Sequence, residues 1–161
     1  MRGNTIYRRV YERLLRRTLH LYWRFSRGLT LGVRAVVLDS RGRVFLIRHS
    51  YIAGWHLPGG GVEAGETTLE ALARELREEG NIEFTARPVL HGMFFNRGAS
   101  RRDHVAVFVV REFRQDAPPQ PNMEITAHSF FAVDALPQDT TSATRARIAE
   151  VVHGTPLAAE W

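Results

Sequence analysis

The 161 residues make a single-domain length with room for a real core, and they include no cysteine, which excludes disulfides and thiolate metal sites. No apolar run approaches the roughly 20 residues that cross a bilayer, and no apolar stretch with a small-residue cleavage site follows the basic start, so neither a membrane span nor a signal peptide is expected and the location is expected to be cytoplasmic. The net charge of +5 is uneven: residues 1–27 carry eight Arg against Glu12, a local +7, and the remaining fourteen Arg are outnumbered by sixteen acids, leaving −2; every basic residue is Arg and none is Lys.

Residues 5–27 read as a basic amphipathic helix. Ile6, Val10, Leu14, Leu21 and Phe25 follow helical steps, while Arg9, Arg13, Arg16, Arg24 and Arg27 line another face. Such a helix packs on its own domain or across a homodimer. Nucleic-acid and membrane-surface contact are the weaker options. Gly28 is a natural stop, which divides the chain into this helix (1–28) and a domain over 29–161.

Leu31–Leu38 and Arg43–Arg48 read as strands joined, as a hairpin, by Asp39-Ser40-Arg41-Gly42. Arg34 interrupts the first strand, either as an edge charge or as a guanidinium aimed at a phosphate. Arg48 is a second candidate for substrate. His49 reads as a polar loop residue.

Trp55–Gly61 is a short run ending in three glycines, and glycine lets backbone carbonyls approach a metal or a phosphate. Residues 67–80 then read as a helix capped by Thr67 or Thr68, with Leu69, Leu72, Ala73 and Leu76 on one face. Glu75, Glu78 and Glu79 share another. Like charges at this spacing disfavour a helix by roughly 0.2–0.5 kcal/mol per pair, which a solvated face tolerates. A hard cation such as Mg²⁺ would convert the repulsion into attraction. Glu66, eight residues before Arg74, is spaced to pair with it and pin the loop to the helix.

Each feature is weak alone, but their order is specific. Gly60, Glu66, Arg74, Glu75, Leu76, Glu78, Glu79 and Ile82 fall on the pattern of the Nudix box, and the sequence resembles the Nudix hydrolase family. Asn81 stands where the pattern has Gly, and Asn is the next-best residue for a left-handed helix end. The resemblance implies an α/β fold, a Nudix-like α/β/α sandwich with a mixed sheet. It implies hydrolysis of a diphosphate linkage in a nucleotide-derived small molecule, with Mg²⁺ (or Mn²⁺) held by Glu75, Glu78, Glu79 and the Gly60 carbonyl. Glu79 or Glu124 would be the base, and Arg74, tied to Glu66, would orient the helix. RNA 5′-end pyrophosphohydrolysis and non-catalytic nucleotide sensing are the alternatives.

Pro88–Asn96 and His104–Phe113 read as further strands, with Phe94 and Phe95 as core aromatics ahead of a base-stacking role. The basic loop between them is a solvated turn or a lid gripping phosphate, with Arg102 as the candidate residue. After the Pro-rich stretch at 116–121 comes Glu124, then the run Ser129–Pro137, similar to the Nudix ending, in which an acidic residue precedes an aromatic strand and a Leu-Pro step. Thr141–Val152 reads as a closing helix capped by Thr141 or Ser142, packing Ile148, Val151 and Val152 inward. The tail to Trp161 carries no legible signal.

Overall fold

Residues 35–38 and 44–47 are continuously apolar, a pattern that suits strands covered on both faces. The computed structural model describes residues 28–120 and 123–161, together with Leu15, Arg16, Thr18, Leu19, Tyr22 and Ser26. Those six have helical backbone. The rest of the helix expected over 5–27 lies outside the described residues.

Strand β1 (Thr30–Val37) runs parallel to β5 (Asp103–Val110), with Val33 opposite Ala106. On the far side of β5, β4 (Val89–Phe95) pairs antiparallel, giving a mixed sheet. β2 (Val44–His49) pairs antiparallel with β7 (Ile125–Phe131), and two short strands, β3 (Glu83–Phe84) and β6 (Phe113–Arg114), pair with each other.

The expected hairpin between the first two strands does not form. The Asp39 turn exists, its carboxylate accepting the Arg41 and Arg43 amides at 2.9 and 2.8 Å. Beyond the Leu38–Val44 bridge, however, β1 and β2 leave for different partners. Both are apolar on both faces, so each can sit inside the sandwich with a partner of its own instead of sharing one solvated face.

Period-two alternation then builds two cores. Val33, Ala35, Val37, Phe45 and Ile47 pack with Ala71, Leu72 and Leu76 of helix α1 (Thr68–Gly80). Val36, Leu38, Val44 and Leu46 pack with Ile148 of helix α2 (Ser142–His153). This is the α/β/α sandwich with a mixed sheet that the sequence implied.

Both helices start where their caps predict. Thr67 accepts the Glu70 N–H while the Glu70 side chain returns to the Thr67 N–H, a closed capping box. Thr141 caps α2 through the Thr144 N–H. At the other end of α1, Asn81 adopts φ 49°, and its N–H closes on Arg77 O. Its side chain also donates to Ala117 O at 2.9 Å. Asn therefore does at this turn what Gly would do.

Two further expectations need correction. Val152 is 37% exposed, because Ile148 and the half-buried Val151 already fill the inner face of α2. β7 begins at Ile125, not Ser129, and ends at Phe131, before the Leu-Pro step. The tail is not idle: Trp161 N–H donates to Phe95 O at 3.0 Å, and the indole packs edge-on against Phe94. Among the described residues no helix is long and apolar enough to cross a membrane.

Candidate active site

The last turns of α1, the glycine loop and the end of β2 converge on one spot. Glu79 is the deepest acid there, 5% exposed. It accepts the Gly59 N–H at 2.6 Å. Gly59 sits at φ 137°, and a Cβ there would meet Val33 O at 2.1 Å, so only glycine lets the loop run against β1. Gly60 is tight for another reason: its Cβ would lie 2.3 Å from Glu75 Oε1, so a side chain there would have to displace that carboxylate. The loop thus leaves its space to the Glu75 carboxylate.

The Glu66–Arg74 pair expected from spacing is formed. Arg74 donates to both Glu66 oxygens, at 2.9 and 3.1 Å, to Glu75 Oε1 at 2.6 Å and to Gly61 O at 3.0 Å. One guanidinium on the helix therefore makes three hydrogen bonds to the loop and a fourth to the neighbouring Glu75. Its pKa is raised by the two carboxylates, and hydrogen bonds from Arg74 and the Glu63 N–H bring Glu66 down to about 2.

The inner acids behave oppositely. Burial pushes Glu79 up to about 8, with the charges of Glu75 and Glu124 adding to the rise and the Gly59 N–H and Arg34 opposing it. Burial also raises Glu75, against Arg74. A cluster whose carboxyls resist ionisation is short of positive charge.

His49 is not in a loop. It ends β2 and is buried, 6% exposed. Alternation from Phe45 and Ile47 turns it toward α1, a signal present in the sequence and outweighed there by its polar type. Nδ1 is buried without a hydrogen-bond partner, and Nε2 lies 3.8 Å from Glu79 Oε1. Leaving such a group unpaired costs about 1–3 kcal/mol. Burial, then Arg34 and His56, lower its pKa and keep the ring neutral.

Glu124 lies just ahead of β7, accepting the Tyr51 O–H at 2.8 Å. One ligand atom each of His49, Glu79 and Glu124 lie within 4.8 Å of one another. Glu78 stays outward, its carboxylate 60% exposed and 3.7 Å from Arg74. Gly60 O accepts the Val33 N–H at 2.8 Å, so the sheet engages it; the carbonyl facing Arg34 is that of Gly59.

The three candidate arginines separate. Arg34 is half-buried beside the acids, donating to Leu57 O at 3.1 Å and to Gly59 O. Arg48 alternates away from His49 and is ion-paired with Asp139, over the Trp55 ring. Arg102 is exposed at the entry to β5, its carbonyl accepting the Thr30 N–H at 3.0 Å. A cavity of about 250 Å³ opens beside Arg34 and Gly60, with Asn96, Asp103 and Trp161 in its wall.

The donor set fits a hard divalent cation: carboxylates on a rigid helix, an acid from a second element, and a loop that yields its volume to Glu75. Besides His49, the sequence reading missed the Gly59 amide and Tyr51. Both act through contacts that no local pattern records.

The family model of the NUDIX domain matches residues 28–151. The chain is 50% identical over 54 residues to the RNA pyrophosphohydrolase of Halorhodospira halophila, covering 34% of this chain and 30% of that protein. It is 42% identical over 52 residues to the RNA pyrophosphohydrolase of Francisella tularensis, covering 32% and 34%. The match thus spans about a third of the length of these curated relatives. In three dimensions the chain is similar to the MutT NUDIX hydrolase of Burkholderia pseudomallei, with a TM-score of 0.66 and 27% identity over 78% of this chain and 99% of that one. It also shares its fold with an ADP-ribose pyrophosphatase from Streptococcus suis, at a TM-score of 0.60 and 21% identity over 80% and 96%.

Proposed function

The chain belongs to the NUDIX domain family, and on that premise we propose that it hydrolyses a diphosphate linkage in a nucleoside-diphosphate derivative, using a bound divalent cation, Mg²⁺ or Mn²⁺. The observation that supports this most is Glu79, a carboxyl only 5% exposed that gathers with His49 and Glu124 so that one ligand atom of each lies within 4.8 Å of the others. Stability alone gives no reason to collect acids at that depth.

Glu75, Glu78 and Glu79 would hold the cation, with Glu124 and a carbonyl of the glycine loop. When bound, it neutralises phosphate charge and lowers the pKa of water. Glu79 or Glu124 accepts the proton as water attacks phosphorus. Arg74 positions Glu75 and the loop through its four hydrogen bonds. Arg34 presents a guanidinium between the acids and the adjoining cavity, where a phosphate next to the scissile bond would lie. That cavity is the candidate subsite for the rest of the substrate, with Arg102 next in sequence to Asp103 of its wall.

A panel of ADP-ribose, nucleotide sugars, dinucleotide polyphosphates and NTPs, assayed with Mg²⁺ and with Mn²⁺, tests the reading. Release of a nucleoside monophosphate or of inorganic phosphate from at least one class is expected. No turnover of any class, with ligand binding intact, would favour a sensor.

A second reading follows from the relatives named RNA pyrophosphohydrolase. Here the substrate is a 5′-phosphorylated RNA and the basic segment before residue 28 grips its backbone. Hydrolysis of 5′-triphosphorylated RNA should then fall steeply with salt, more steeply than hydrolysis of any small nucleotide. Equal salt slopes would remove this reading.

A further inference from the structure

We propose that His49 is a nitrogen ligand of the divalent cation, completing with Glu79 and Glu124 a mixed nitrogen–oxygen site. The inference rests on the cation-dependent reading above and adds a ligand of a different kind.

Three elements bring the donors together. Alternation along β2 turns His49 toward α1, whose last turn supplies Glu79. At the same point the β2–β7 register shifts between Arg48 and His49. The Ser50 N–H donates to Glu124 O at 2.8 Å, and the Ser50 hydroxyl to Met123 O at 2.8 Å. These bonds hold the Glu124 backbone beside the end of β2. The irregularity is a built feature, because a bulge re-aims side chains at a site.

The ring itself lacks what a core histidine has. Buried imidazoles are held by hydrogen bonds, yet Nδ1 here has no partner and Nε2 lies 3.8 Å from Glu79 Oε1, beyond hydrogen-bond range. Packing holds it instead, with Tyr51 and His56 ring centroids 5.1 and 5.7 Å away. Ligand atoms on one cation, bonded at about 2.0–2.2 Å, lie roughly 3–4 Å apart. His49 and Glu79 are already at that spacing, and Glu124 needs only a small approach.

The consequence is selectivity. Carboxylate and carbonyl oxygens suit Mg²⁺, whereas imidazole shifts preference toward transition metals. Mn²⁺ should therefore bind more tightly than Mg²⁺ by a margin that depends on His49.

The test uses the full chain loaded with Mn²⁺ and pulsed electron paramagnetic resonance. A ¹⁴N modulation from bound imidazole is expected, replaced by ¹⁵N frequencies after labelling with ¹⁵N-histidine. His49→Gln should abolish it while Mn²⁺ stays bound, and should lower the Mn²⁺ to Mg²⁺ affinity ratio about tenfold. His56→Gln should retain it, which localises the nitrogen even if His49→Gln fails to fold. Bound Mn²⁺ without nitrogen coupling, or coupling lost in His56→Gln and kept in His49→Gln, would overturn the proposal and leave the carboxylate site standing. No Mn²⁺ binding by the unaltered chain would overturn both.

Discussion

Two clusters of buried charge lie on the two helices that cover the sheet, and they are assembled in opposite ways. On α2, Arg147 is 1% exposed, yet it pairs with Glu150 at 2.6 Å, donates to Glu160 O at 3.0 Å and lies 3.9 Å over the Phe94 ring. Glu150 in turn takes the Ala158 N–H and the His91 ring, both at 3.0 Å. Opposite charges meet there, and the C-terminal tail is clamped. On α1, Glu79 is as deep but faces Glu75, Glu124 and an uncharged imidazole, with the Gly59 N–H and Arg34 offsetting only part of the cost. Equal burial thus serves opposite ends. One cluster is closed and structural, and the other is held short of positive charge.

The sharpest way to break this contrast is to remove one acid from each cluster. Glu79→Gln should lower kcat by about 10²–10⁴-fold while the far-UV spectrum holds and Tm does not fall, since the amide oxygen can still accept the Gly59 N–H. Glu150→Gln should leave kcat within a few-fold per folded molecule. Near-unaltered turnover in the first variant would erase the distinction.

Stability should give the mirror image. Arg147→Ala strips Glu150 of its partner, and breaking a buried pair costs about 3–5 kcal/mol. Urea unfolding should register most of that loss, with the Arg147→Ala/Glu150→Ala double variant losing less than the sum of the single ones. Additive losses would mean that the pair is not coupled.

A smaller effect separates the clusters by pH. In the metal-free protein Glu79 holds its proton up to about 8, whereas unfolded it releases the proton near its ordinary 4.5. Between those values the folded state binds more protons, so stability must fall as pH rises through the window, then level off. The loss should be on the order of a few kcal/mol. The difference between unaltered protein and Glu79→Gln isolates it, because Glu66, which shifts the other way, is common to both. Identical pH profiles would show that Glu79 ionises freely when folded.

The legible part of the site was local. The Glu66–Arg74 spacing, the Thr67 and Thr141 caps and the left-handed tolerance of Asn81 all act within one or two turns, where sequence distance stands for spatial distance. What failed was long-range. β1 finds β5 about seventy positions away, so a turn between β1 and β2 could not reveal that they part company. His49 reads as a loop residue in the sequence, yet the pairing of β2 with β7 and the packing of α1 decide its burial. Trp161 became visible only with the Phe95 strand it docks against.

Thermal unfolding of the unaltered protein at pH 8, titrated with Mg²⁺ and with Mn²⁺, tests the central claim most directly. A cation that occupies the acid cluster binds only the folded state, so Tm must climb with concentration by mass action, and Glu79→Gln must lose most of that climb. A Tm that stays flat into tens of millimolar, or rises equally in both proteins, would contradict the account.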